Sequence, residues 1–312
     1  MLASAKNFIT NTGEAMTQSC PLCHSDQSQQ FETAQDAGQK LEYRLCSRCG
    51  MVFQSSGWKK EELNQFYAND YRKLVEGEDQ VSEKNRAIEE TRARLLAAWL
   101  KEQGVNSVKR HMDIGASTGA LIRRTQRAFG AQVLGVELSN SHRAFAEARG
   151  LPMLPSLEAL EASGSERFDL ISLIHVLEHL PDPVSSLAQL RERWLTPDGA
   201  FLLEVPNLYA HNSYEIAHLH AFSRHTLAET LRLAGYRIEA MHVHGQPRSK
   251  VLGLYIRVLA RPEPTLAEKP LRPESGVRLK RRLGMLWRRV LERLIPGQAW
   301  LPFPELPADE AK

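Results

Sequence analysis

Residues 111–122 are HMDIGASTGALI, and this stretch decides the fold. A short apolar run ends at Asp113, the segment from Gly115 to Gly119 is a turn, and an apolar helical pattern follows. Glycines let the backbone approach a ligand closely, and the start of a helix presents free N–H groups. The next apolar run ends at Glu137, 24 residues after Asp113, where an acid can accept hydrogen bonds from ribose hydroxyls. The stretch predicts a strand–turn–helix unit that binds a nucleoside-bearing ligand.

Outward from this stretch, short apolar runs alternate with helical patterns, which is typical of a parallel α/β sheet. The last two runs are joined by a short loop, which favours an antiparallel hairpin at the sheet edge. The predicted strands are 111–114, 133–137, 152–154, 168–174, 200–205, 238–243 and 252–259, and the predicted helices are 119–129, 140–149, 184–194 and 224–234.

Three hypotheses fit the glycine turn. A dinucleotide dehydrogenase would carry G-x-G-x-x-G, whereas the spacing here is G-x-x-x-G. A purely structural turn would not require the acid at Glu137. S-adenosylmethionine has both a ribose and a cationic sulfonium and amino acid end, which suits the acid at Asp113. We therefore favour S-adenosylmethionine as the ligand.

The pattern D-x-G-x-x-x-G with the distal acid, followed by FDLISLIHVLEHLPDP and LTPDGAFLLEVPN, resembles the class I S-adenosylmethionine-dependent methyltransferases over about residues 105–262. The resemblance implies a Rossmann-like seven-stranded α/β sheet of order 3-2-1-4-5-7-6 with strand 7 antiparallel. It also implies cofactor contacts by Asp113, Gly115, Ala116, Ser117 and Gly119 in the glycine-rich loop, by Glu137 at the ribose, by Leu157 near the adenine and by His175 near the sulfonium.

All four cysteines lie in the amino-terminal part of the chain, as C-x2-C, 22 residues and C-x2-C. Cys20 and Cys23 form one pair, and Cys46 and Cys49 form the other. Four thiolates at this spacing favour a structural zinc site without an open position for water. Two disulfides are the alternative, but a cytosolic chain keeps its thiols reduced. We expect His24 to be a neighbour of the zinc rather than a ligand.

Eight of the eleven histidines lie between residues 175 and 244. The first two belong to H-x-x-E-H, formed by His175, Glu178 and His179. Related ubiquinone-pathway O-methyltransferases carry E-x-x-E-H here and are thought to use magnesium. Histidine is a poorer ligand than a carboxylate for a hard cation. We favour Glu178 and His179 as a brace at the start of a helix over a metal site.

The segment 206–227, PNLYAHNSYEIAHLHAFSRHTL, is predicted to form the wall of the acceptor site. Methyl transfer to a hydroxyl needs in-line alignment and a base that takes the proton. Neutral histidine suits that role near pH 7. We favour His220 as the base, with His218 second. The alternative is that both are half-buried histidines bonded to loop carbonyls.

A zinc module followed by this domain is similar to two methyltransferase groups. Deoxysugar C-methyltransferases carry an H-E-H-x-x-Y-F-S-like segment, but IAHLHAFS has Ala217 and Ala221 in place of its acid and aromatic residue. Zinc-ribbon methyltransferases that occur among glycan genes resemble the chain through residue 262. We favour a hydroxyl of a sugar or similar small polar molecule as the acceptor. An RNA methyltransferase that begins with a zinc module is the alternative from another class.

Charge distribution argues against nucleic acid as a partner. The 312-residue chain carries a net charge of +3, of which residues 277–312 contribute +4, so the remainder is close to neutral. Within 278–293, leucines at helical spacing alternate with seven basic residues, which predicts an amphipathic helix that contacts an anionic membrane surface or a partner protein through 277–295. Docking of this helix on its own domain is the alternative.

No apolar run approaches the roughly 18 residues of a membrane-spanning helix, and the start of the chain lacks a secretory signal. We therefore expect a cytoplasmic protein that is peripheral at the inner membrane face.

The predicted organisation has six parts. The parts are a tail (1–17), a zinc-ribbon module (18–57), a helical connector (58–104), the cofactor-binding domain (105–262), a Pro-rich linker (263–276) and the basic amphipathic helix with its tail (277–312).

Overall fold

The computed structural model describes residues 19–36, 38–55, 81–162, 164, 166–212 and 214–306. The predicted amino-terminal tail lies outside the described residues, as do residues 56–80, which include the first half of the predicted connector.

Within the described part of the chain, a seven-stranded sheet has the order β6-β5-β4-β7-β8-β11-β10. Strands β4 to β8 run parallel, and β11 is antiparallel to both of its neighbours. This arrangement confirms the predicted Rossmann-like order 3-2-1-4-5-7-6. The strands are Arg110–Ile114 (β4), Gln132–Val136 (β5), Met153–Leu154 (β6), Phe168–Ile174 (β7), Leu195–Pro206 (β8), Tyr236–His244 (β10) and Tyr255–Pro262 (β11).

Helices connect the strands, and their starts follow local capping chemistry. Ser82, Ser139, Asp182 and Ser223 each accept a hydrogen bond from a backbone N–H in the first helical turn, which satisfies donors that the helix leaves unpaired. The helices are Glu83–Glu102 (α1), Ala120–Phe129 (α2), Asn140–Ala148 (α3), Leu157–Ala162 (α4), Pro183–Arg193 (α5), Arg224–Leu233 (α6), Val277–Leu294 (α7) and Pro296–Ala299 (α8), with 3₁₀ turns at Leu177–His179 and Pro264–Glu268.

A second, four-stranded sheet has the order β1-β2-β3-β9. Three of its strands come from the predicted zinc-ribbon module, residues 18–57, which is called the cysteine module below. They are Ser28–Asp36 (β1), Gln39–Cys46 (β2) and Val52–Gln54 (β3). The fourth, His220–Ala221 (β9), comes from the predicted acceptor wall and pairs antiparallel with β3. The small module and the large domain therefore share one sheet.

The hydrophobic core is continuous between the module and the large sheet. Met51 and Phe53 of the module are buried in the same cluster as Phe222, Leu227 and residues of the sheet strands. A second cluster packs α1 and α2 on the opposite face of the sheet. Both faces of the parallel strands are covered, as their apolar composition requires.

The predicted Pro-rich linker packs against the protein. The Glu274 N–H donates to the carbonyl of Cys49 at 2.9 Å, and its carboxylate accepts from the Tyr209 hydroxyl at 2.7 Å and from Ser223. A Cβ on Gly50 would lie 2.5 Å from the Glu274 carbonyl oxygen, so the two backbones need glycine for this approach. Glu274 thus joins the cysteine module, the acceptor wall and the carboxyl-terminal segment.

None of the described helices has the length and apolar character needed to span a membrane.

Candidate active site

A cavity of 740 Å³ lies at the carboxyl ends of β4, β5 and β7, the edge where ligands bind in open α/β sheets. Seven of the eight residues predicted to contact the cofactor line it, and Gly119 does not. The seven are Asp113, Gly115, Ala116, Ser117, Glu137, Leu157 and His175.

The two glycines of the turn are required for different structural reasons. Gly115 has φ +72°, and a Cβ there would lie 2.4 Å from Cγ2 of Val176 at the cavity wall. Gly119 has φ +75°, precedes the first residue of α2, and leaves room for Leu151, whose Cδ1 would lie 2.4 Å from an added Cβ. Gly115 therefore shapes the cavity, whereas Gly119 allows α2 to pack.

Glu137 is held in place by backbone donors. Its Oε2 accepts from the Ser117 N–H at 2.8 Å, and its Oε1 accepts from the Ser139 N–H at 2.9 Å. The side chain is 7% exposed and lines the cavity. Each carboxylate oxygen has a further lone pair, so the group can accept two more hydrogen bonds from a diol.

Asp113 lies at the end of β4 in a buried polar chain. Ser172 Oγ donates to its carboxylate and lies 2.7 Å from Nε2 of His111, whose Nδ1 lies 2.7 Å from Thr125 Oγ1. Burial raises the pKa of Asp113 to about 7, and the Glu137 carboxylate adds to this rise, while the Ser172 hydrogen bond opposes it. Burial also lowers the pKa of His111 to about 3, so this histidine is neutral.

Helix α1 supplies cavity residues that the sequence analysis missed. Glu89 lines the cavity and accepts from the hydroxyls of Ser117 and Thr118. Arg92, on the next turn, also lines the cavity and pairs with the buried carboxylate of Glu204 at 3.1 Å. Glu89, Arg92 and Leu96 are spaced i, i+3 and i+7, so charged residues on the apolar face of this helix were the available signal.

His175 lies between two buried carboxylates at the cavity wall. Its Nδ1 is 3.5 Å from Glu178 and its Nε2 is 3.3 Å from Glu204, and its backbone has φ +57°. Burial and Arg92 act to lower the pKa of His175, but the two carboxylates outweigh them and raise it. Burial alone would raise the pKa of Glu178, yet His175 and the neighbouring histidines lower it to about 2. Glu178 is therefore a buried anion.

The two predicted base histidines lie behind the cavity. His218 and His220 are not among the described residues that line it. His220 Nε2 donates to the Leu180 carbonyl at 2.8 Å, and burial lowers the pKa of this ring to about 4. His179 lines the cavity wall together with His175, and the Nδ1 of His179 donates to the Ala217 carbonyl at 2.8 Å. Its ring centre lies 4.8 Å from that of His218.

A cluster of possible metal ligands backs this wall. One ligand atom from each of Glu178, His179 and His218 lies within 4.8 Å of the others. The hydrogen bond from His179 braces the Ala217 carbonyl of the predicted acceptor wall, whereas the start of α5 is capped by Asp182. The three side chains Glu178, His179 and His218 could hold a divalent cation.

The four cysteines converge on one point. Sγ of Cys20 is 3.5 Å from that of Cys49, Cys23 and Cys46 are also 3.5 Å apart, and all four sulfurs lie within 4.8 Å of one another. Each C-x2-C pair forms a tight turn closed by a hydrogen bond from the residue after its second cysteine to the carbonyl of its first, 2.8 Å at His24 and 3.0 Å for the second pair. Four thiols in this arrangement fit a tetrahedral zinc ion.

The fold, the glycine turn and the acids Asp113 and Glu137 define the class of S-adenosylmethionine-dependent methyltransferases. Residues 85–241, half of the chain, match the family described as "Methyltransferase domain", and the chain belongs to this family. The match begins inside α1, which agrees with the contribution of that helix to the cavity.

Curated relatives match over a shorter stretch. A "Ubiquinone biosynthesis O-methyltransferase" of Bordetella parapertussis is 30% identical over 99 residues, which are 29% of this chain and 41% of the relative. The protein of the same name from Pseudomonas fluorescens is 28% identical over 120 residues, 36% of this chain and 51% of the relative. The chain thus matches about half or less of the length of these relatives.

Solved structures share the fold at low sequence identity. The 1,6-didemethyltoxoflavin-N1-methyltransferase of Burkholderia thailandensis, with bound S-adenosylhomocysteine, is 21% identical and superposes with a TM-score of 0.51 over 68% of this chain and 96% of its own. The plantazolicin methyltransferase BpumL is 12% identical with a TM-score of 0.50, over 64% of this chain and 94% of its own. These likenesses establish the fold.

Proposed function

We propose that this protein transfers the methyl group of S-adenosylmethionine to a hydroxyl of a small polar acceptor, with a sugar or glycan precursor as the favoured class. The observation that carries the proposal is the cavity at the glycine turn, which is lined by Asp113 and Glu137. The curated relatives are named as O-methyltransferases, which supports a hydroxyl acceptor.

The residues of the cavity suit the parts of the cofactor, which supplies an electrophilic methyl group when bound. Glu137, oriented by two backbone N–H groups, would accept hydrogen bonds from the ribose hydroxyls. Asp113 would face the cationic end, and Leu157 would lie beside the adenine. In-line alignment of the acceptor would then lower the activation barrier, by about 7–11 kcal/mol at most.

We infer that His179 is better placed as the base than His220 or His218. It lines the cavity, its Nδ1–H is held by the Ala217 carbonyl, and Nε2 is therefore the ring nitrogen with a lone pair. Burial lowers the pKa of His179 to about 4, so the ring is neutral at pH 7. The buried anion Glu178 would stabilise the cation that forms when His179 takes the acceptor proton.

Substitution of each histidine by glutamine separates these candidates. We expect His179→Gln to lower kcat by about 10²–10⁴-fold, the usual contribution of a general base, and to leave the affinity for S-adenosylmethionine unchanged. His218→Gln and His220→Gln should lower kcat far less. Full activity of His179→Gln together with loss of activity in His220→Gln would show that His220, the residue favoured from the sequence, is the base. An increase of kcat with the concentration of added Mn²⁺ would instead favour a cation bound by Glu178, His179 and His218.

The raised pKa of Asp113 predicts a pH dependence of cofactor binding. A cation beside this carboxyl favours its ionised form, so affinity should rise with pH through the pKa of about 7. Between pH 6 and pH 8 we expect about a tenfold increase, because the ionised fraction rises from about 0.1 to about 0.9. Calorimetric titration at each pH measures this change. Asp113→Asn should lose the part of the increase that the carboxyl causes and retain any titration of the ligand itself.

Calorimetry followed by an acceptor screen tests the proposed function. Micromolar binding of S-adenosylmethionine and S-adenosylhomocysteine but not NADH is expected, followed by methyl transfer to nucleotide sugars or other small hydroxyl compounds. Transfer to tRNA or rRNA would favour the RNA methyltransferase, and transfer to carbon of a deoxysugar would favour the C-methyltransferase. Absence of cofactor binding would overturn the proposal.

We further propose that Cys20, Cys23, Cys46 and Cys49 hold a structural zinc ion that braces the acceptor wall. The module reaches this wall through paired β3 and β9. In addition, the Tyr43 hydroxyl lies 2.6 Å from the His218 carbonyl and donates to it. The zinc would thus support the backbone that carries His218 and His220 without touching the reacting atoms.

A further inference from the structure

Helix α7 is docked with its apolar stripe facing away from the protein. The stripe consists of five side chains that are 56–74% exposed: Leu279, Leu283, Leu286, Trp287 and Leu294. A surface helix of a globular protein normally turns such a stripe to the core. The arrangement here is the reverse and leaves an apolar band roughly 22 Å long at 1.5 Å per residue.

The buried face of α7 is attached by arginines and a close backbone approach. Arg281 is 7% exposed, and it donates to the carbonyls of Leu208 and His211. Arg288 donates to the carbonyl of Ala210 at 2.9 Å. A Cβ on Gly284 would lie 2.1 Å from the carbonyl oxygen of Tyr209. These contacts hold the helix on the backbone that follows β8, so the orientation of the stripe is set by specific hydrogen bonds.

Cations border the exposed stripe. At 100° per residue, Arg282, Arg289 and Arg293 follow one edge of the stripe and Lys280 follows the other, and all four are exposed. The one acid of this fully described helix, Glu292, lies on the inner side, where it accepts from Arg288 and from the indole of Trp300. Lys280 pairs with Glu274 at 2.9 Å, so the positive charge beside the leucines and the tryptophan of the outward face comes mainly from Arg282, Arg289 and Arg293.

We propose that this outward face of α7 is a docking surface for an anionic lipid bilayer. Leucines enter the acyl boundary, tryptophan sits at the interface, and flanking arginines contact lipid phosphates, which is the pattern of interfacial helices. A second copy of the chain fits less well, because it would bring another set of the same cations to the edges of the stripe. The proposal goes beyond methyl transfer and does not depend on it.

Vesicle co-sedimentation of the full chain tests the proposal. We expect binding to vesicles of phosphatidylcholine with phosphatidylglycerol, weaker binding to phosphatidylcholine alone, and loss of the difference at high salt. The double variant Leu283→Gln/Leu286→Gln should bind at least about tenfold more weakly, since each leucine loses its apolar burial. The matched control Leu283→Met/Leu286→Met should bind like the unaltered protein. Thermal unfolding of both variants should be unchanged, because these side chains are exposed.

Three results would overturn the proposal. One is the absence of binding to either vesicle by the unaltered protein. Another is equal binding by the glutamine and methionine variants. The third is a dimer in analytical ultracentrifugation that the glutamine variant alone dissociates, without vesicle binding, since a second copy would then cover the stripe.

Discussion

Replacing Glu137 with glutamine is expected to weaken the binding of S-adenosylmethionine by at least about a hundredfold, since hydrogen bonds to a charged acceptor contribute about 1.5–3 kcal/mol each. The carboxylate accepts from the backbone N–H groups of Ser117 and Ser139. An amide would place an NH₂ group against one of these donors, and it would present one acceptor oxygen in place of two. Both the orientation of the group and its capacity to bind a diol are lost.

Calorimetric titration with S-adenosylmethionine measures this loss directly. Glu147→Gln is the matched control, because Glu147 is exposed on α3 and makes the same change of charge away from the cavity. An affinity of Glu137→Gln within a few-fold of the control would show that this acid does not contact the ribose. In that case the assignment of the cavity to the cofactor would lose its main support.

Replacing Cys49 with serine is expected to prevent binding of the proposed zinc ion and to unfold the cysteine module. The expected loss of stability is about 5 kcal/mol or more, since structural zinc sites contribute about 10–16 kcal/mol of apparent binding energy in small domains. Cys49 is buried in the core cluster that joins the module to the large sheet. Loss of the module should also release β9, because β3 is its partner in the sheet. Activity should therefore fall more than cofactor affinity.

Metal content by mass spectrometry and chemical unfolding check this expectation. Ser47→Ala, an exposed position between the last two cysteines, should keep one zinc per chain and unaltered stability. Intact-protein mass measurement distinguishes zinc from two disulfides. The zinc proposal would be contradicted by a chain that contains no zinc and is four mass units lighter than the fully reduced chain, because two disulfides remove four hydrogens, and that keeps the same stability.

The connection between the module and the acceptor wall gives the proposed zinc a role beyond the module itself. Gln54 Nε2 donates to the backbone carbonyl of Glu215 at 3.2 Å, and Tyr43 contacts the backbone at His218. These donors add to the hydrogen bonds that the segment makes within itself, such as the one from the His218 N–H to the Glu215 carbonyl at 3.0 Å. The predicted acceptor wall is thus supported from outside the seven-stranded sheet.

Local sequence was sufficient to bring seven of the eight residues predicted to contact the cofactor to one cavity. The residues of the glycine turn are adjacent in the chain, and Glu137 follows the next strand, so strand order alone brings them together. Gly119 was predicted as a contact from the same motif; it is not among the described residues that line the cavity, and Leu151 lies beside it. A motif gives the backbone path, and it does not say which glycine lines the cavity.

The position of the predicted acceptor wall depends on contacts between distant parts of the chain. His218 and His220 are in the predicted wall, but the pairing of β9 with β3 directs this segment into the small sheet. His179 is left on the cavity side. Nothing in the histidine spacing reveals a strand partner from more than 160 residues earlier in the chain.

The sequence by itself determined the α/β class, the glycine turn, the cysteine cluster and the amphipathic character of α7, because each follows from periodicity or spacing within a short segment. The tertiary structure decided that α1 walls the cavity, that β9 joins the cysteine module, and that α7 docks through Arg281 and Arg288 with four of its five leucines outward. The physical reason is that periodicity shows that a helix or strand has two unlike faces, whereas the partner of each face is set by long-range packing and hydrogen bonding.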